Sequence, residues 1–228
     1  MQQKSYDIMP GEIPPLVNAS ESHMALVFVL DVSASMQGRP IAQLNDGFNR
    51  FKTEVCKDKQ TRDILDVAVI QFNDDFEVAQ DFVPIEYMEP IQLAASGGTK
   101  YTDAIREALR MADERSRFYR RSGTEPYKPW IILVSDGAPL DKIDAVAAEV
   151  SEMQDSGKAR FIALGVGDYD SATLKRLTDV VFRMEGTDFT SFFNWVGKSI
   201  RTVSTTAPGE KAPLPPLEGN VYRDVSDI

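Results

Sequence analysis

The sequence predicts an α/β fold. It reads as a doubly wound, mostly parallel six-stranded sheet with helices on both faces and one short antiparallel edge strand. Three observations carry that expectation. Apolar runs of strand length alternate with amphipathic stretches of helix length through most of the chain. The strongest runs, residues 24–30 (MALVFVL) and 130–134 (WIILV), are continuous in their hydrophobicity, as strands covered on both faces are. Polar clusters follow directly behind predicted strands, where open parallel sheets bind their ligands.

The elements follow in order. A strand is expected over residues 25–30. A helix is expected over residues 40–57, with Ile41, Leu44, Phe48, Phe51 and Val55 spaced by three and four and Pro40 suited to a first helical turn. Strands over residues 65–72 and 76–82 come next. A helix over residues 102–119 carries Ile105, Leu109, Ala112 and Phe118. The run 130–135 is a further strand. A helix over residues 142–156 has Gly157 as its stop. Residues 161–166 form a strand, 171–177 a short helix and 180–184 the sixth strand. A last helix, over residues 188–204, has Asp188 as its N-cap and a stripe of Phe189, Phe192, Phe193, Val196, Ile200 and Val203. No internal repeat is visible.

A chain of 228 residues, 43% hydrophobic and 26% charged, suits one large domain with tails. The domain is expected over residues 22–206. Residues 1–21 hold Pro10, Pro14 and Pro15 and read as irregular. Residues 207–228 read as a Pro-rich tail (APGEKAPLPPLEGN), too broken for helix or strand. Its PLPPLEG stretch reads as a polyproline ligand or as a disordered segment.

No stretch reaches the roughly 18 consecutive apolar residues that a membrane span needs. The first residues lack the basic and apolar regions of a secretory signal. The lone Cys56 excludes an intrachain disulfide and a thiolate zinc cluster, so a cytoplasmic protein is expected. A net charge of −10 points away from nucleic acid and anionic membranes, because phosphate binding draws on a basic face. The basic stretch 115–121 (RSRFYRR) reads as a solvated helix end, with a contact patch for an acidic partner as the alternative. His23 has no second histidine or thiolate beside it and reads as exposed or hydrogen-bonded. The Phe189–Trp195 aromatics read as core. The G-x-G in residues 163–168 lacks the third glycine of a dinucleotide fingerprint.

Three clusters remain. FVLDVSASMQG follows the first strand and presents Asp31, Ser33 and Ser35 two residues apart, facing one way in extended chain. SGGTKYT precedes the second long helix: Gly97 and Gly98 allow close backbone approach, and Thr99 offers a hydroxyl. VSDGAP follows the 130–135 strand and presents Asp136. Taken singly, each reads equally as a turn or a cap. Together they supply two carboxylates and three hydroxyls, all hard oxygen donors of the kind Mg²⁺ takes. Mn²⁺ and Ca²⁺ would accept the same oxygens. Two carboxylates leave such a site electrophilic, with room for an Asp or Glu carboxylate from a protein partner.

The order D-x-S-x-S, G-G-T and S-D-G in these settings resembles the metal-ion-dependent adhesion site of von Willebrand factor A (VWA) domains. The resemblance implies metal contact by Ser33, Ser35 and Thr99, with Asp31 and Asp136 acting through water. It also implies a binding module rather than an enzyme. YRRSGTEPYKPWIILVSDGAP and FFNWVGKSIRTVSTTAPG further resemble a bacterial cytoplasmic subfamily related to the tellurium-resistance-associated VWA proteins, over residues 22–209. That likeness implies stress or tellurite-resistance systems, some with a protein kinase and a phosphatase. Two other functions remain open at this level. A metal-assisted phosphohydrolase would need an acid two residues after Asp31, where the chain has Ser33. A scaffold could act through its tails, with a vestigial metal site.

Overall fold

A computed structural model describes Leu16 and residues 20–224 of the chain. Its strands are β1 (Met24–Asp31), β2 (Leu65–Phe72), β3 (Phe76–Pro84), β4 (Trp130–Ser135), β5 (Arg160–Val166), β6 (Val181–Met184) and β7 (Val221–Arg223). Its helices are α1 (Arg39–Val55), α2 (Lys59–Ile64), α3 (Thr102–Arg121), α4 (Asp144–Asp155), α5 (Ser171–Leu177) and α6 (Thr190–Ser204). All seven strands form one sheet in the order β3-β2-β1-β4-β5-β6-β7. β1 pairs in parallel with β2 and β4, and β4, β5 and β6 continue in parallel. β3 and β7 close the two edges antiparallel.

The side-chain alternation of the central strands builds two cores. On β1, Leu26, Phe28 and Leu30 join β4 residues Ile132 and Val134 on one face, under α1 and α6. Val27 and Val29 join Ile131 and Leu133 on the other, under α3, α4 and α5. The continuous apolar runs in the sequence therefore have a reason: every residue of β1 is buried. Phe28 meets Phe48, Phe51 and Phe193 edge-on, with ring centroids 5.1, 5.6 and 5.8 Å away. Gly47 lets α1 approach α6, since a Cβ there would lie 3.0 Å from both Phe189 and Phe193. The Phe189–Trp195 stripe is core, as its spacing predicts.

The sheet differs from expectation at its second edge. It has seven strands instead of six, and the extra one lies inside the segment read as an irregular tail. Three residues are too few to show a period, and β7 owes its strand geometry to β6. The chain reaches it along α6. The Trp195 indole donates to the Pro215 carbonyl at 3.0 Å, and Leu214 and Leu217 pack on the core. Asn220 then donates to the carbonyls of Glu185 and Asp188. The irregular segment expected over residues 1–21 lies outside the described residues, apart from Leu16, Ser20 and Glu21.

Four local readings also change. α2 is an additional helix, started by Asp58, whose carboxylate accepts from the Thr61 amide at 2.9 Å. Asp188, expected as the N-cap of α6, stands one residue before the observed N-cap, Phe189, yet its carboxylate accepts from the Thr190 amide at 3.0 Å. Arg115 is not part of a solvated helix end. It is 3% exposed and donates to Asp66 at 2.6 Å, and Tyr119 donates to the same carboxylate oxygen. Of the two readings of His23, exposed or hydrogen-bonded, the exposed one is overturned: the side chain is fully buried and stacks on Tyr119.

Candidate metal centre at the switch point of the sheet

The chain winds outward from β1 through β2 to β3, then crosses back to β4 on the other side of β1. Connections leave β1 and β4 in opposite directions, and this opens a crevice at their carboxyl ends. Asp31 is the last residue of β1 and Ser135 the last of β4. The β1–β4 register pairs Leu30 with Val134, which brings Asp31 and Ser135 level.

The three sequence clusters meet there, joined through their backbones. The Ala34 amide donates to the Gly97 carbonyl at 2.9 Å, and the Ser96 amide donates to the Val32 carbonyl at 2.7 Å. The Leu140 amide donates to the Thr99 carbonyl at 2.8 Å. Gly97 holds φ at 76°, a left-handed conformation that favours glycine, and a Cβ on it would stand 2.6 Å from the Asp74 carboxylate. A Cβ on Gly137 would lie 3.5 Å from the Thr99 hydroxyl, so the second and third clusters touch.

Within this frame the side chains form a hydrogen-bonded row. Asp31, 0% exposed, accepts from the Ser33 amide on Oδ1 at 2.8 Å and from the Ser135 hydroxyl on Oδ2 at 2.6 Å. The Ser33 and Ser35 hydroxyls lie 2.9 Å apart. The Ser35 hydroxyl donates to Asp136 Oδ1 at 2.7 Å. Thr99, 8% exposed, joins none of these bonds with its hydroxyl. Asp31 and Ser33 form the floor, and the exposed Ser35 marks the mouth.

The electrostatics are those of an uncompensated anionic site. Burial pushes the Asp31 carboxyl up, and hydrogen bonds from Ser135 and Ser33 only partly offset it. Burial likewise pushes Asp136 up against the bond from Ser35. Among the described residues, no lysine, arginine or histidine forms an ion pair with either carboxylate. Nor do the described residues contain three or more His, Cys, Asp or Glu side chains grouped so that they alone could hold a metal ion. A cation held here would take part of its shell from hydroxyls, and the donor set fits a small hard ion.

All five residues singled out in the sequence, Asp31, Ser33, Ser35, Thr99 and Asp136, thus lie at one strand-end crevice. Sequence reasoning missed the part of Ser135, which orients Asp31, and of Asp74, which packs on Gly97 and Gly98. The Ser135 signal was present, since it immediately precedes Asp136 on a strand. Asp74 comes from the β2–β3 turn, and its position depends on the tertiary fold.

Fold and crevice together define a doubly wound α/β domain with a polar crevice at the sheet's switch point. The chain belongs to the von Willebrand factor type A domain family, whose model matches residues 25–194. It is similar to the pilus adhesin SpaC from Lactobacillus rhamnosus GG in its open conformation: 17% identity, TM-score 0.66, 80% of this chain and 30% of that one. It is also similar to the von Willebrand factor domain of the type V pili tip protein Mfa5 from Porphyromonas gingivalis: 11% identity, TM-score 0.62, 83% of this chain and 99% of that one. A third likeness is to the ArnB paralog VWA2 from Sulfolobus acidocaldarius, with 21% identity, a TM-score of 0.54, and 78% and 45% coverage. The chain therefore spans less than half of the SpaC and VWA2 chains. At these identities the likeness is one of fold. No curated protein matches the chain.

Proposed function

We propose that this domain is a divalent-cation-dependent protein–protein interaction module. Asp31, Ser33, Ser35, Thr99 and Asp136 would hold Mg²⁺, and the metal would bind a carboxylate of the partner. Mn²⁺ or Ca²⁺ would be accepted less readily, because two carboxylates and three hydroxyls favour the smaller ion. VWA domains serve protein–protein interaction, and pilus adhesins stand among the structural neighbours. The observation that carries the reading is the pair of carboxylates, both raised by burial and neither matched by a cation, facing a row of hydroxyls.

Each residue has a task. Ser135 fixes Asp31 in the floor, and Ser35 fixes Asp136 at the mouth. Thr99 brings an uncommitted hydroxyl from the third loop. A metal held by these residues would supply positive charge to an incoming carboxylate.

A binding role fits better than a catalytic one. The place two residues after Asp31, where a phosphohydrolase would carry its acid, is Ser33, whose hydroxyl is shared with Ser35. A tail-borne function has less support, because residues 214–224 lie along α6, β6 and α5 instead of reaching away.

Titration calorimetry with MgCl₂ tests the metal site. One binding event per chain is expected in the wild type, and it should vanish in Asp31→Ala and Asp136→Ala variants that still melt cooperatively. Retained binding in both variants would overturn the assignment. We further propose, from the resemblance alone, a cytoplasmic bacterial protein of a stress or tellurite-resistance system. Cell fractionation and a tellurite challenge of a deletion strain check that part.

A further inference from the structure

The third site loop continues from Asp136 as Gly137-Ala138-Pro139-Leu140, four residues without charge or polar side chain. Ala138 is exposed, Pro139 is half-buried, and Leu140 is 70% exposed. Only Leu140 and Tyr222 are exposed large hydrophobics among the described residues. A leucine so exposed is unremarkable when it stands alone on a mobile surface. Leu140 differs in position and in fixation. Its amide is bonded to the carbonyl of Thr99, one of the five metal-site residues. The next residue, Asp141, accepts from both the amide and the hydroxyl of Thr102. Pro139, immediately before Leu140, limits the backbone there. The leucine is thus presented at the rim of the crevice by a backbone anchored at Leu140 itself and at Asp141, so ordering it costs little on binding.

The opposite side of the same rim is acidic. Leu140 and Asp74 converge over Gly98: a Cβ there would lie 2.7 Å from Leu140 Cδ1 and 2.8 Å from Asp74 Oδ1. The neighbouring Asp75 is also exposed, and the chain as a whole carries a net charge of −10. A run of acids on a partner would meet repulsion both at long range and at this rim. A single carboxylate between apolar residues meets much less of either repulsion, because it brings one negative charge instead of several. Its apolar neighbours would cover Leu140 and keep water from the metal–carboxylate contact, which strengthens that contact.

Resting on the metal-bridged reading above, we propose that Ala138, Pro139 and Leu140 form the second half of the binding surface. They select a partner segment whose acidic residue stands alone between apolar side chains. Leu140 is the specificity-determining residue.

The test uses four capped pentapeptides: Gly-Leu-Glu-Leu-Gly, Gly-Ser-Glu-Ser-Gly, Gly-Glu-Glu-Glu-Gly and Gly-Leu-Gln-Leu-Gly. Each is titrated by NMR into the full chain, in Mg²⁺ and in EDTA. Wild type should bind the Leu-Glu-Leu peptide about tenfold tighter than Ser-Glu-Ser, the gain from covering one leucine. The Glu-Glu-Glu and Leu-Gln-Leu peptides should bind more weakly than Leu-Glu-Leu. In Leu140→Ser, shown by melting to be folded, the ratio of Leu-Glu-Leu to Ser-Glu-Ser should fall close to one. Mg²⁺-dependent binding of the glutamate peptides with no Leu preference, or with a preference that survives in Leu140→Ser, overturns this inference and leaves the metal-bridged grip standing. Absence of Mg²⁺-dependent binding by any glutamate peptide overturns both.

Discussion

Asp66 opens β2's second position and Arg115 lies 49 residues further on in α3, yet the two meet with side chains 1% and 2% exposed. The guanidinium also stands 4.7 Å from the Phe118 ring centre. Removing one partner of a buried pair strands the other charge, at a cost of about 3–5 kcal/mol. Arg115→Met is therefore expected to lower stability by that amount in denaturant melts, and Asp66→Asn added to it should restore a large part. Gly97 is the other residue where one atom decides much. Gly97→Ala would force a left-handed alanine, strained by about 1–2 kcal/mol, and press its Cβ on Asp74. Weaker Mg²⁺ binding is expected in calorimetry, because the Gly97 carbonyl is what receives the Ala34 amide of the first site loop. The buried Arg115 was hidden in the sequence by its neighbours: in RSRFYRR only the helix phase separates the buried arginine from the exposed ones, and its acid partner lies on a distant strand.

Elements here are held by short-range caps and by two less common clasps. Asp58 and Asp170 cap α2 and α5, and their carboxyls are held low, mainly by the bonds from Thr61 and Thr173. Asp58→Ala should cost about 1 kcal/mol in a denaturant melt. On α1, Asn45 and Asn49 each bond both the amide and the carbonyl of one residue in the segment before the Gly-Gly-Thr loop, Leu93 and Ile91 respectively. One face of α1 thereby carries an extended chain as a neighbouring strand would. The second clasp ends at Asp224. Burial alone would raise its carboxyl, but bonds from Lys175, Ser171 and Tyr169 outweigh burial and hold it below the ordinary carboxylate value. A depressed folded pKa contributes stability that is present above the unfolded value, about 3.9, and is lost as pH falls through the folded one. Asp224→Asn should melt below wild type at neutral pH, and the gap should close in strong acid.

At the scale of the molecule, the expected coupling is between metal and fold. Burial raises both site carboxylates, so holding them in the charged form costs the folded state. A cation that binds only the folded chain stabilises it by mass action, about 2.7 kcal/mol at a hundred times its dissociation constant. The melting temperature should climb with MgCl₂ in the wild type and stay flat in Asp31→Ala. An equal rise in both would mean that the ion acts elsewhere. The location of that site follows from topology, since the reversal of strand order between β2 and β4 leaves the crevice at the end of β1.

Much of this was written in the sequence. Continuous apolar runs of seven and five residues set the buried strands β1 and β4, because a strand covered on both faces has no polar side to show. Spacings of three and four set α1, α3 and α6, because only one stripe of each meets the sheet. The five oxygen donors were legible because each follows or precedes a strong element. What the sequence left open depends on partners distant in the chain. β7 is a strand because β6 lies beside it, Arg115 is buried because Asp66 is there to receive it, and Ser135 orients Asp31 because parallel pairing puts β1 and β4 in register. Leu140 takes its place at the rim through its bond to Thr99. Local pattern determines which segments are helix, strand or donor loop; long-range pairing alone determines which of their atoms meet.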